Sequence, residues 1–438
     1  MDIKELYKIY QQHPTITTDS RDCPEGSIFL ALKGLSFNGN LFAESALQKG
    51  CSYAIVDEDI QVAPELTHRL VRVDDCLQTF KNLAREHRRQ FNIPVIGITG
   101  TNGKTTTKEL IAAVLSEKYN VLATAGNFNN DVGVPKTLFR LDSSHEIAII
   151  EMGASHPGDI KTLVETAEPT CGLITNVGRA HLLGFGSFEG VKKTKGELYD
   201  FLAGKQALVF INADNPHLTQ MAEERSLPLL YKYGTREQND LRVKGSVVSC
   251  APFLRFQWYQ PAEEANLYEV QTKLIGTYNL DNMLAAISVG LHFGVSPENI
   301  CHALENYIPS NNRSQLEETP HNKLIVDAYN ANPTSMAAAL DNFHRMEVSP
   351  KMAILGMMGE LGTVSHDEHQ RVVDRLQELQ FDEVWLVGAE FKDIHGPFRW
   401  YADVEEVKTE IAHQQPQGRY ILIKGSNSVK LAQLKEFL

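Results

Sequence analysis

A lysine and a threonine, Lys104 and Thr105, follow directly on a glycine-rich stretch in residues 94–107, PVIGITGTNGKTTT. The apolar run before the glycines reads as a buried strand, and Lys104 opens a helix. Such a turn aims successive backbone N–H groups at an anion, and the helix start adds the positive end of its dipole. The ligand this implies is a nucleoside triphosphate. Lys104 would neutralise the outer phosphates, and Thr105 would present its hydroxyl to Mg2+. The spacing departs from the standard phosphate loop. Ile98 stands where that motif has its first glycine, and the glycines fall at Gly97, Gly100 and Gly103.

Three more residues invite chemistry. Glu151 closes the run 145–153, HEIAIIEMG, where a carboxylate at the end of an apolar strand can hold Mg2+ directly or through water. His181 lies just beyond the apolar run 170–177. Lys195 is the least expected: Val191, Leu198 and Leu202 make a helical stripe, and Lys195 fills the missing position i+4. A lysine on a buried face must snorkel, find an anion such as Glu151 or a phosphate, or lose its charge. A neutral amine can react with CO2 to give a carbamate, a metal-binding carboxylate. The residues alone leave these outcomes open.

The elements that position these residues are α/β throughout. Residues 1–92 alternate short β-rich runs (27–31, 53–56, 70–73) with helical patterns (41–49, 77–89), a small α/β unit. Residues 93–308 begin with the glycine-loop strand and continue with the runs 145–153 and 170–177. Strands separated by helices predict a parallel, doubly wound sheet whose ligands collect at the carboxyl edge, where Lys104, Thr105, Glu151 and His181 all fall. Residues 309–438 repeat the pattern with runs at 324–327, 352–356, 384–388 and 420–424, a second, Rossmann-like open sheet. The expected architecture is therefore three α/β domains with boundaries near 92 and 308.

Composition narrows the function classes. The 438 residues carry 42 basic and 55 acidic side chains, a formal charge of −13, which disfavours non-specific nucleic-acid binding. An anionic substrate needs a locally basic cleft. The six cysteines are scattered with no C-x-x-C pair, fitting free thiols rather than a disulfide frame or zinc site. The amino terminus lacks the apolar core of a signal peptide and no run is long enough to span a bilayer, so a cytoplasmic protein without membrane insertion is expected.

These motifs together resemble the Mur ligase family, ATP-dependent amide-forming enzymes of peptidoglycan precursor synthesis, nearly end to end. TGTNGKT is similar to the family's ATP loop, which implies ATP contacts from Gly100, Thr101, Asn102, Gly103, Lys104, Thr105 and Thr106. The helix holding Lys195 and Glu197 resembles the family's carbamylated-lysine helix. Glu151 and His181 match its metal-binding glutamate and histidine. The resemblance thus implies a two-Mg2+ site on Thr105, Glu151, His181 and a CO2-derived carbamate on Lys195, with Lys104, Glu151, His181 and Lys195 as the catalytic set. GNFNNDVGVP resembles the loop near the acceptor carboxylate, here Asn129 and Asn130. TYNLDNMLAA resembles the adenine-side helix, with Asn282 as the base contact, and Arg313 resembles an arginine that reaches the nucleotide phosphates.

In the third segment DAYNANP, GMMGELG and KGS resemble the branch that adds D-alanyl-D-alanine to UDP-N-acetylmuramoyl-tripeptide. This implies nucleotide contacts from Asp327, Tyr329 and Asn330, and substrate contacts from Asn332, Glu360 and Lys424. TDSR and ALKG, with Asn38 and Gly39, resemble uridine-binding loops, implying Ser20, Arg21, Lys33, Gly34, Asn38 and Gly39 as the UDP-sugar site. A monomer is expected. The alternatives are a sibling ligase adding a single amino acid, a folylpolyglutamate synthase-like ligase, or a nucleotide-gated binding protein. The chain has no Asn-Lys-x-Asp guanine motif.

Overall fold

Val95–Thr99 is buried at all five positions, the pattern of a parallel strand covered on both faces. Around it the chain builds the largest of three successive sheets. The computed structural model describes residues 2–238, 240–263, 266–309 and 315–438, and all counts below refer to those residues.

The first sheet is four-stranded and parallel: β1 (Ile16–Thr17), β2 (Ile28–Leu30), β3 (Tyr53–Val56) and β4 (Leu70–Arg72), paired in chain order. The second has nine strands: β5 (Val95–Thr99), β6 (Val121–Ala123), β7 (Ile147–Glu151), β8 (Cys171–Ile174), β9 (Leu208–Asn212), β10 (Leu229–Gly234), β11 (Val243–Cys250), β12 (Phe253–Tyr259) and β13 (Tyr268–Ile275). Their order is β13-β12-β11-β10-β9-β8-β5-β7-β6. The third has six: β14 (Gln315–Glu318), β15 (Lys323–Asp327), β16 (Lys351–Gly356), β17 (Glu383–Val387), β18 (Arg399–Tyr401) and β19 (Tyr420–Lys424), ordered β14-β15-β19-β16-β17-β18.

The central sheet departs from the wholly parallel arrangement expected. β11 to β13 pair antiparallel at one edge. Along β12 buried positions alternate with more exposed ones, because the sheet there is covered on one face only, partly by the helix Asn279–His292. Such strands carry no continuous apolar run, which is why the antiparallel edge was not legible in the sequence. In the third sheet only β14 runs antiparallel to its neighbour.

Two switch points matter for the site. β5 lies between β7 and β8, so the chain leaves it in opposite directions and a crevice opens at the carboxyl ends, beyond Thr99 and Glu151. In the third sheet β19 lies between β15 and β16, bringing Asp327 and Lys424 side by side. Both crevices face one cleft.

The helix Phe188–Gly204 carries Lys195 and packs on the central sheet over two glycines paired across β5 and β8, Gly97 and Gly172. A Cβ on Gly172 would sit 2.5 Å from the Gly97 carbonyl oxygen and 3.3 Å from Leu202. Neighbouring backbone cannot yield there. No helix among the described residues is long and apolar enough to cross a membrane, and the six cysteines are free thiols.

Gly172→Ala is therefore expected to destabilise the protein by about 1–3 kcal/mol through overpacking. Gly204→Ala, at the end of the same helix where a Cβ meets nothing within 4 Å, should be neutral or slightly stabilising. Thermal denaturation of the two variants checks the contrast.

Candidate active site

The glycine loop takes its shape from positions that only glycine fills. Gly100 has φ +148°, and a Cβ there would fall 2.0 Å from the Thr175 hydroxyl; Gly103 has φ +76° and abuts Asn282. The loop is held from below by the segment after β8. Thr101 N donates to the Asn176 carbonyl at 2.9 Å, Asn102 N to Asn176 Oδ1 at 3.0 Å, and the Thr175 hydroxyl to the Asn102 carbonyl at 2.6 Å. The first amide to find a helical acceptor is that of Thr107, on the Gly103 carbonyl. Residues 104–106 form the first turn ahead of it, and they line the cleft. The Lys104 ammonium folds over its own loop, donating to the carbonyls of Gly100 (2.8 Å) and Thr101 (3.1 Å).

Glu151 ends β7 fully buried. Its Oε1 accepts from Asn129 Nδ2 at 2.8 Å and from the Thr105 hydroxyl at 3.2 Å. Its Oε2 is buried with no hydrogen bond, 3.8 Å from the Lys108 ammonium. A buried carboxylate oxygen left open is costly unless a cation takes it. Beside a threonine hydroxyl this is a hard-oxygen set that fits Mg2+. Among the described residues no three His, Cys, Asp or Glu side chains converge to form a complete cage, so such a cation would draw its other ligands from substrate or solvent.

His181 has φ +51° and precedes the short helix Leu182–Phe185. Its Nδ1 pairs with the carboxylate of Glu360, itself at φ +61°, from the loop after β16. Burial lowers the His181 pKa, and the charges of Lys104 and Lys195 lower it further against the pull of Glu360. Lys195 is 2% exposed and its ammonium lies 5.7 Å over the Phe185 ring. Burial first, then the charge of Lys104, push its pKa well below the usual lysine value, against Asp159 and Glu197. Both carboxylates are engaged elsewhere: Glu197 accepts from the amides of Gly158 and Lys161, and Asp159 from those of Ser155 and His156. Lys195 is thereby biased toward the neutral amine.

The opposite wall comes from the third sheet. Lys424, 1% exposed, reaches Asp327 Oδ2 at 2.6 Å and the Asn330 carbonyl at 3.4 Å. A cavity of about 760 Å³ lies between the walls, lined by residues 101–106, Asn129, Asn130, Glu151, His181, Asn282, Asp327, Tyr329, Asn330 and Lys424. Asn282 reaches it while bonded to Thr107 (3.0 Å) and Asn279 (2.8 Å). Gly100 and Lys195 lie outside that lining, and Asn332 and Glu360 stand at the joint between the two lobes. Arg313 lies outside the described residues.

The six UDP-sugar candidates do not line this cavity. Lys33 is 3.0 Å from Asp57, Asn38 donates to Glu58 at 2.8 Å, Arg21 pairs with Asp19, and the Ser20 carbonyl accepts from Lys49. Gly39 sits against the Leu32 carbonyl and Gly34 under the Phe37 ring. Lys81, on the helix Cys76–Arg88, is the first lobe's contribution to the cavity lining.

Two residues at or near the cleft escaped the sequence reading. Lys108 is buried beside Glu151; its signal was the i+4 spacing from Lys104, which places both on one helix face. His369 is fully buried, its Nε2 accepting from the Met358 amide (2.9 Å) and its Nδ1 donating to the Ser365 carbonyl (2.7 Å), which fixes the loop bearing Glu360. No spacing rule marks such a histidine.

Comparison with known proteins gives the same picture along the whole chain. Residues 14–97 match the Mur ligase family catalytic domain, 98–290 the Mur ligase middle domain, and 312–427 the Mur ligase glutamate ligase domain. The UDP-N-acetylmuramoyl-tripeptide--D-alanyl-D-alanine ligases of Bacillus subtilis (strain 168) and Escherichia coli (strain K12) are each 32% identical, aligned over 96% of this chain and 92% of the relative. Among solved structures, MurF from Acinetobacter baumannii superposes with a TM-score of 0.88 at 29% identity, covering 99% of this chain and 97% of that one. MurF ligase from Thermotoga maritima in complex with ADP gives 0.86 at 26% identity, covering 97% of each. With that identity sustained over nearly its full length, the chain belongs to the Mur ligase family.

Proposed function

We propose that this enzyme is an ATP-dependent ligase that adds D-alanyl-D-alanine to UDP-N-acetylmuramoyl-tripeptide, releasing ADP and phosphate. The observation that carries the reading is the single cleft in which the Lys104 loop, the open oxygen of Glu151 and the Asp327–Lys424 pair face one another. The named relatives supply the substrates. In this reading residues 1–92 hold the UDP-sugar, 93–308 hold ATP, and 309–438 bring the dipeptide and close over the nucleotide, in a cytoplasmic monomer.

Amide formation from a carboxylate is uphill in water. The terminal carboxylate of the tripeptide attacks the γ-phosphorus, the bond to the β-phosphate oxygen breaks, and an acyl phosphate forms. The dipeptide amine then attacks the acyl carbon and phosphate leaves. Protein help in such a transfer is mostly positioning and charge neutralisation. Lys104 would leave its loop carbonyls for the β- and γ-phosphates, while the amides of the helix start hold their oxygens. Thr105 and Glu151 would hold one Mg2+, and His181 with a carbamylated Lys195 a second, to offset phosphate charge. The neutral amine bias of Lys195 supports the carbamate, since only an uncharged amine adds to CO2. Enclosure between lobes keeps the acyl phosphate from water.

Three measurements test the reading. ADP release should require both UDP-muramoyl-tripeptide and D-alanyl-D-alanine, with single amino acids and glutamate inactive; turnover indifferent to the muramoyl peptide would sink it. Lys104→Ala should lower kcat a hundredfold or more, roughly 3 kcal/mol of transition-state stabilisation. Lys195→Ala should lose most activity and regain part of it with a short carboxylic acid in the buffer. Failure of that rescue would leave Lys195 as an ion-pairing lysine.

A further inference from the structure

Asn332 has both ends of its amide engaged within the protein. Its Oδ1 accepts from Ser335 N at 2.9 Å and closes a capping box at the start of the helix Pro333–Arg345. Its Nδ2 donates to Asn102 Oδ1 at 2.7 Å, across the joint between the lobes. At 6% exposure it presents little surface to a ligand. Asn102 belongs to the phosphate loop, where its backbone is held by Thr175 and Asn176, so its Cα position moves with that loop. The same corner is tied again where the Arg179 amide donates to the Thr334 hydroxyl at 3.3 Å and the Arg179 side chain reaches Glu368 at 3.3 Å.

We propose that Asn332 is a positioning residue which, through Asn102, registers the third lobe against the phosphate loop, in place of the dipeptide contact that family resemblance gives it. The inference rests on the ligase reading above for its kinetic consequences. An amide that caps a helix and bridges to Asn102 sets where Asp327 and Lys424 stand relative to Lys104. The helix follows Asn332 directly, and β15 ends five residues before it at Asp327.

Three variants separate the roles: Asn332→Ser, which keeps a capping oxygen but is too short to reach Asn102, Asn102→Ala, and the double variant. Each single change should lower kcat about fivefold, the worth of one neutral hydrogen bond, and the double should be no worse than either single. The KM for D-alanyl-D-alanine should stay unchanged, and Asn332→Ser should melt like the parent. A KM increase confined to Asn332→Ser would make it a dipeptide contact, and additive or absent kcat losses would remove the coupling; either overturns the proposal. Small-angle scattering of the unliganded proteins should show a larger radius of gyration in both single variants, and unchanged profiles would also overturn it. Scattering needs no turnover, so it reads the joint even where the parent enzyme shows no dipeptide-dependent ADP release, the result that would defeat the ligase reading instead.

Discussion

A buried carboxylate oxygen with no hydrogen bond is the constraint around which the central lobe is arranged. Glu151 ends β7 inside the protein, with Asn129 and Thr105 holding one oxygen and the other left open beside Lys108. An uncompensated charge there would cost several kcal/mol. The surroundings answer with positive charge rather than with donors: Lys108 at 3.8 Å, Lys104 on the same helix, and the positive end of that helix. One carboxylate is thus faced by two lysines and a helix start, an excess of positive charge suited to phosphate groups.

The same excess of positive charge explains Lys195. An ammonium on the buried face of the helix Phe188–Gly204 meets the repulsion of Lys104, which with burial outweighs the attraction of Asp159 and Glu197, whose oxygens serve backbone amides. Burial and repulsion act in the same direction, toward loss of the proton. A carbamate there would reverse the sign of the group and supply the negative charge that the cluster of Lys104, Lys108 and Lys195 lacks. Gly97 and Gly172 belong to this arrangement, since any side chain on them would lift the helix from the sheet.

Much of this was legible in the chain because it rests on local rules. The strands β5, β7, β8, β15, β16, β17 and β19 read as continuous apolar runs, since each is buried on both faces, and the residues at their carboxyl ends fell where a switch point predicts. The antiparallel edge β11 to β13 was not legible, because its alternating pattern is weaker than a run. Lys108 and His369 were invisible for another reason: a buried lysine or histidine is identified by what surrounds it, and the surroundings come from residues distant in sequence. Asn332 stood in a motif that drew a ligand role, and its hydrogen bond to Asn102, 230 residues away, has no signature in the local sequence.

Contacts across the cleft differ in kind from those that build each lobe. Asn102 with Asn332, Arg179 with Glu368, and His181 with Glu360 are polar pairs, and two of the residues involved, His181 and Glu360, sit at positive φ where an L-residue is strained. The lobes' own cores are apolar clusters of many buried side chains. The central and third lobes are joined by apolar packing as well: Ile275 of β13 lies in the same buried cluster as Ile325 and Leu355, with Phe253 of β12 packed against it, and each polar pair adds about 1 kcal/mol. Asn102 is itself a residue of the phosphate loop, so the joint with Asn332 and the shape of that loop depend on the same residue.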